Sequence, residues 1–269
     1  MRYRLFTLLS IIVFVSGCKK NKEASVCRTT TIMHPGIDTL MLTYDEQNRI
    51  TDYNYYGLVD VQIIYSGITA TSTTTPYNDT VRPFVKLYLN SDGNIESMTL
   101  GTLYGSTGDY DTYSMKYDND GHMVRCEASY TDNVHHTTDY LIDSIVYENG
   151  NMTGKYVLRK YHPATQYTLF EYTTYTYTND LNKSGYFSAR FENVPIEFGG
   201  DAQYLYPLLG KSSQNLPAVT SIYNSLGTLD YEVDYSILLN ADGYPQEENA
   251  YISATPPYTE HLSFEYSCN

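Results

Sequence analysis

Along most of the chain apolar and polar residues alternate with a period of two. Val85, Leu87 and Leu89 are separated by Lys86 and Tyr88, and Tyr113, Met115 and Tyr117 by Ser114 and Lys116. The same holds for Val124, Cys126, Ala128 and Tyr130 against Arg125, Glu127 and Ser129, and for Leu262, Phe264, Tyr266 and Cys268 against Ser263 and Glu265. Successive side chains of a strand point to opposite faces, so each stretch predicts a strand with one apolar face.

A recurrent unit separates these stretches. YDEQNRI (44–50), LNSDGNI (89–95), YDNDGHM (117–123), YNSLGTL (223–229) and LNADGYP (239–245) share Tyr or Leu, then Asp or Asn, then Gly or Asn at the fifth place. YENGNM (147–152) is one residue shorter and YTNDLNK (177–183) is a degenerate copy. The Asp or Asn can bond the backbone two residues on, and the turn residue Asn48, Gly93, Gly121, Gly150, Gly227 or Gly243 must tolerate positive φ. The unit therefore reads as a hairpin turn of four or five residues. Gly93, Gly121 and Gly150 are 28 and 29 residues apart. A second polar turn falls between each pair, at 105–108 and 131–134, and another follows at 162–164. Turns about every 14 residues leave strands of roughly 9–11 residues, about 30–35 Å long. Gly227 and Gly243, only 16 apart, belong to opposite ends of one strand.

The pattern predicts an all-β fold, a long antiparallel up-and-down meander of about 14–17 strands, which must curl into a barrel or half-barrel to protect its edges. One region breaks the meter. Asp201 is a candidate N-cap and Gly210 a candidate C-terminal cap, so Ala202 to Leu209 predicts one short helix near 201–210, bent at Pro207. With Tyr204, Leu205, Leu208 and Leu209 on one side, it would plug an end of the curled sheet or act as a lid.

The N-terminus stands outside this meter. Arg2 and Arg4 precede the apolar run Leu5–Val15, which is too short to span a membrane as a helix and reads as a secretory signal. Val15-Ser16-Gly17-Cys18 resembles the bacterial lipobox, which implies cleavage after residue 17 and lipidation at Cys18. The chain then divides into a signal peptide (1–17), a lipidated tether (18–25) and a single β-meander domain (26–269). No aspartate follows Cys18, and Lys19-Lys20-Asn21-Lys22-Glu23 is basic. The resemblance thus implies an outer-membrane lipoprotein, facing the periplasm in preference to the cell surface.

Charge narrows the partners. The chain carries 17 Lys and Arg against 31 Asp and Glu, a net of −14, which becomes −16 once Arg2 and Arg4 leave with the signal. Such a surface repels phosphate backbones, so no nucleic acid is expected as a partner. There are 31 tyrosines and no tryptophan. Tyrosine favours strands and combines an apolar body with a polar tip, so this bias suggests large pleated surfaces that stay partly wet.

Candidate chemistry is sparse. The one histidine pair, His135-His136, lies near Asp132 and Asp139, but neighbours in a strand point to opposite faces and make poor joint ligands. No phosphate loop, HExxH or GxSxG motif occurs, and most carboxylates sit in turns. No catalytic residue, metal or cofactor is therefore assigned. Cys27 lies in the first strand and Cys268 in the last. If the sheet closes, these become neighbours and a disulfide between them would latch it, leaving Cys126 as a buried thiol.

The turn units resemble YD repeats of the RHS type. Together with the lipobox and the segment YLYPLLGKSSQNLPAVTSI (204–222), the meander is similar to a family of Bacteroidetes lipoproteins of unknown function with a porin-like β fold. That resemblance implies no catalytic residues. The leading expectation is a non-catalytic outer-membrane lipoprotein, held to the membrane through Cys18, that binds a protein or envelope component through its sheet surface. The alternatives are a glycan-binding protein using exposed tyrosines and, third, a glycan-active enzyme.

Overall fold

The structure is a computed structural model that describes residues 27–34, 38–47, 49–55, 59–76, 82–101, 110–132, 135, 137–183 and 208–268. The signal, the tether, Cys18, Asn48 and nearly all of the expected helix lie outside the described residues.

Sixteen strands follow one another. The first half comprises β1 (Cys27–His34), β2 (Asp38–Tyr44), β3 (Ile50–Tyr55), β4 (Val59–Ser66), β5 (Thr69–Pro76), β6 (Arg82–Leu89), β7 (Ile95–Gly101) and β8 (Tyr110–Tyr117). The second comprises β9 (Met123–Asp132), β10 (Thr137–Glu148), β11 (Asn151–Lys160), β12 (Thr168–Leu181), β13 (Asn215–Asn224), β14 (Leu229–Leu239), β15 (Pro245–Ile252) and β16 (Tyr258–Cys268). Each pairs antiparallel with its sequence neighbours, and β1 pairs with β16 to close the barrel. The meander closes fully, within the expected strand number. Strand lengths are less even than the spacing suggested, from six residues in β3 to 14 in β12.

Closure gives the molecule two ends. The near end carries Cys27, Cys268 and the turns after β2, β4, β6, β8, β10, β12 and β14; the far end carries the other connections. Gly93, Gly121, Gly150 and Gly243 sit at the near end and Gly227 at the far end, all at positive φ between +76° and +90°. In the unit starting at Tyr117, Asp118 Oδ1 accepts from the backbone N–H of Asp120 and of His122, both at 2.9 Å. Asn90, Asn224 and Asn240 do the same in their turns. The shorter copy is a two-residue Asn-Gly turn with both φ positive, Asn149 at 51° and Gly150 at 76°, as a hairpin of that length requires.

The tyrosines of this meter have a second use. Tyr44 donates to Thr29 O (2.7 Å), Tyr65 to Ile50 O (2.9 Å), Tyr117 to Ile95 O (2.6 Å) and Tyr177 to Met152 O (2.7 Å). Each hydroxyl crosses from the near end of one strand to the near end of the strand before it. Pairs of strands joined by a connection only at the far end are thereby stapled at the near one.

The barrel wall is apolar inside. Leu87, Ile95, Met98, Met123, Leu141, Met152 and Val157 are almost wholly buried and pack in one cluster with Leu208 and Leu209. Two smaller clusters, Leu216 with Leu262 and Phe264, and Ile222 with Val233, Ala250 and Ile252, continue it through β13–β16. Of the expected helix only its last residues are described. Leu208 and Leu209 are buried there in a short 3₁₀-type turn, and Gly210 follows at φ +92°. From there Lys211 N–H donates to Gly121 O and Gln214 N–H to Gly150 O, both at 2.9 Å, so this stretch is strapped across two near-end turns.

Candidate functional site

The outer face decides what kind of barrel this is. From mid-strand toward the near end it presents Ser114 and Lys116 on β8 beside Glu127 and Arg125 on β9, where Arg125 Nε meets Glu127 Oε1 at 2.6 Å. That hydrogen bond, with the charges of Arg125 and Lys116, holds the Glu127 carboxyl below its ordinary range against some desolvation. On β13 and β14 Ser221 donates to Glu232 (2.9 Å), and on β15 and β16 His261 meets Asn249 (2.8 Å). A membrane-spanning barrel needs an outward apolar band about 25 Å tall over a polar lumen. Here the described outer face mixes those charged and polar groups with exposed apolar side chains such as Met41, Ile64, Val146 and Leu238, over an interior that is largely apolar but holds Asp143, Lys155 and Glu248. No helix among the described residues is long and apolar enough to cross a membrane.

Aromatic side chains break the polar exterior toward the far end. Tyr156, Tyr172 and Tyr223 are register neighbours on β11, β12 and β13 and stack in a ladder, with ring centroids 6.1 and 4.6 Å apart. Next to it Lys160 Nζ lies over the rings of Tyr140 (4.1 Å) and Tyr167 (4.9 Å).

Two concavities open at the ends. A near-end hollow of about 490 Å³ lies between the turns after β2, β4 and β6, lined by Arg49, Ile68, Leu89, Asn90, Asp92 and Leu208. Arg49 is already committed there to Asp45 at 2.7 Å and to the Tyr65 ring at 4.0 Å. A smaller far-end bowl of about 180 Å³ is lined by Tyr130, Asp139, Tyr140, Leu141, Arg159 and Tyr161. Asp139 Oδ1 accepts from His162 N–H at 2.7 Å, Arg159 Nη1 donates to the Tyr161 hydroxyl at 2.7 Å, and the guanidinium lies 3.5 Å from the Phe170 ring centre.

Ionisable groups also occur inside the wall. Asp143 on β10 and Lys155 on β11 are buried, opposite charges on adjacent strands. Asp143 is the register partner of Cys126. Burial first, then the charges of Asp143 and Glu127, push the Cys126 thiol well up, while Lys155 pulls the other way. The thiol is therefore protonated and unreactive at neutral pH.

The residues singled out in the sequence fall in several places. Cys27 and Cys268 are register partners joined as a disulfide, 241 residues apart in sequence. Of the histidine pair, His135 is exposed and His136 lies outside the described residues. The acidic turn instead brings Asp118, Asp120 and His122 within 4.8 Å of one another. Its arrangement is accounted for by the turn itself, since His122 Nδ1 meets Asp118 Oδ2 at 3.1 Å and the ring stacks on Tyr147 at 4.4 Å. The far-end bowl and the Asp143–Lys155 charges were not read from the sequence. Their signal was there, in LIDSI (141–145) and KYVLR (155–159), where charges fall in phase with the inward apolar positions.

Solved structures share this barrel fold. A porin-like protein from Bacteroides vulgatus ATCC 8482 superposes with a TM-score of 0.64 at 15% identity, covering 89% of this chain and 99% of its own. One from Bacteroides uniformis ATCC 8492 gives 0.65 at 14%, covering 90% and 95%. The chain has the porin-like barrel fold. No protein-family model matches the sequence, and no curated protein does. The fold part of the expected resemblance is therefore found, while its lipoprotein and YD-repeat parts remain readings of the sequence.

Proposed function

We propose that this protein is a non-catalytic barrel lipoprotein of the outer membrane, anchored through Cys18 and facing the periplasm, that binds a protein or envelope component through its outer sheet surface. The observation that carries this reading is that the outer wall holds Lys116, Arg125, Glu127, Glu232 and Asn249 among its apolar residues, over a largely apolar interior, so it offers no continuous apolar band. A wall of that kind is stable in water, so membrane association falls to the lipid. The first strand begins at the near end, which would turn the far end and its tyrosines away from the bilayer. A second reading, glycan binding, is favoured by the exposed aromatic groups on and beside β10–β12.

Cell fractionation of the full chain and its Cys18→Ser variant tests the anchoring. The wild type is expected in the outer-membrane fraction and the variant in the soluble fraction. A variant that stays in the outer-membrane fraction, where an uncleaved signal would not hold it, would mean that the barrel itself inserts. Crosslinking of the wild type in its native membrane, read by mass spectrometry, should return a reproducible envelope partner.

A further inference from the structure

We infer that the far-end bowl formed by Tyr130, Asp139, Tyr140, Leu141, Arg159 and Tyr161 is a binding site for one uncharged pyranose ring of a glycan. The inference gives a ligand class and an address to the binding role proposed above, and it does not depend on the anchor. Size comes first. A half-open space of about 180 Å³ suits one small ring better than a longer chain.

The lining is of the matching kind. Aromatic faces suit the apolar C–H side of a pyranose, and a few fixed polar groups suit its hydroxyls. Both charged groups are held before any ligand arrives. Asp139 is fixed through Oδ1 by His162 N–H, and its other oxygen accepts no bond from the described residues. Arg159 is fixed by the Tyr161 hydroxyl and by the Phe170 ring. Such preorganisation lowers the ordering cost of binding. One carboxylate and one guanidinium cancel, so the bowl selects a neutral ligand with paired donors and acceptors over an anion or a cation. The near-end hollow differs, because no aromatic side chain among the described residues lines it and the charge of its Arg49 is already paired with Asp45.

Isothermal titration of the full-length protein tests this, in an amine-oxide detergent whose headgroup is no sugar. The probes are cellotetraose, maltotetraose, mannotetraose, xylotetraose and chitotetraose. At least one is expected to bind, with affinity reduced by about tenfold or more in both Tyr161→Ala and Asp139→Asn. Tyr251→Ala, on the outer face of β15, should bind like wild type. Asp139→Asn keeps the acceptor for His162, and circular dichroism checks that each variant is folded. Binding of none of the five, or binding unchanged in both bowl variants, overturns the inference and leaves the anchoring proposal untouched.

Discussion

At Gly210 the backbone stands at φ +92°, and a Cβ added there would lie 2.6 Å from Gly121 O and 2.8 Å from a Tyr117 ring carbon. Gly93 has a similar φ of +82° but open space around it. The two positions separate strain from collision. Gly93→Ala is expected to cost about 1 kcal/mol for positive φ alone. Gly210→Ala should cost at least about 2 kcal/mol, because the Gly121 carbonyl, which the strap grips through Lys211 N–H, must also move; denaturant titration of both variants compares them.

The buried tyrosines make a second prediction. Burial pushes the hydroxyls of Tyr44 and Tyr65 up to about 12, with Arg28 and Arg49 pulling partly back. Each folded-state pKa is raised above the unfolded value near 10. Their stabilisation is thus complete below about pH 10 and is lost as the pH rises toward 12. Phenolate absorbance should show these tyrosines ionising only together with unfolding. If they ionise freely near pH 10 in the folded protein, the staples to Thr29 and Ile50 are not formed. At this scale the need for positive φ was legible from Gly, Asn and the Asx partner. The carbonyl awaiting each tyrosine was not, because it lies 15 to 25 residues back and depends on register.

Between elements, β10 and β11 bring two buried opposite charges, Asp143 and Lys155, to diagonal positions two residues apart in register. Each is expected to offset the cost of burying the other. Lys155→Met is expected to destabilise by about 3–5 kcal/mol, and adding Asp143→Leu should recover most of that. A double-mutant cycle measures it, and additive losses would mean that the two charges do not interact.

The β8–β9 turn predicts an acid dependence. Burial of Asp118 favours its neutral form, but the hydrogen bonds and charge of His122, with the Asp120 N–H, outweigh this and depress its pKa. A depressed carboxyl stabilises above its unfolded pKa near 3.9, and the contribution is lost as the pH falls below that. Asp118→Asn keeps the backbone acceptor, so its stability should fall less steeply than wild type below about pH 4. The turns themselves could be read from spacing, since one residue too many or too few changes the turn class. The inward phase of Asp143 was visible in LIDSI, but not what offsets its charge, since that depends on what the adjacent strand supplies.

For the molecule as a whole, closure was foreseen only as one of two outcomes, barrel or half-barrel. Edge protection argues for either, and only register between the termini chooses. Thr29 facing Tyr266 and Ile32 facing Phe264 make that choice, continuing the inward apolar face across the seam. The bond between Cys27 and Cys268 then closes a loop of 241 residues. In the chain-entropy account such a loop is worth about 5 kcal/mol. Alkylation without reductant should add mass at neither cysteine, and reduction should lower the denaturation midpoint. Modification of both cysteines in the unreduced native protein would show the seam to be held by backbone pairing alone.

A seam locked in this way makes the polypeptide a ring with an arbitrary starting point. Sixteen nearest-neighbour pairings remain whichever hairpin is cut, so no strand is first in an energetic sense. Joining the ends near Cys27 and Cys268 by a short linker and reopening the chain between Ser91 and Asp92, in an exposed turn, should yield a circular permutant that refolds to the same barrel. The position of the tether would then become a design variable. Moved to a far-end connection, the same lipid would present the opposite mouth of the barrel to the periplasm.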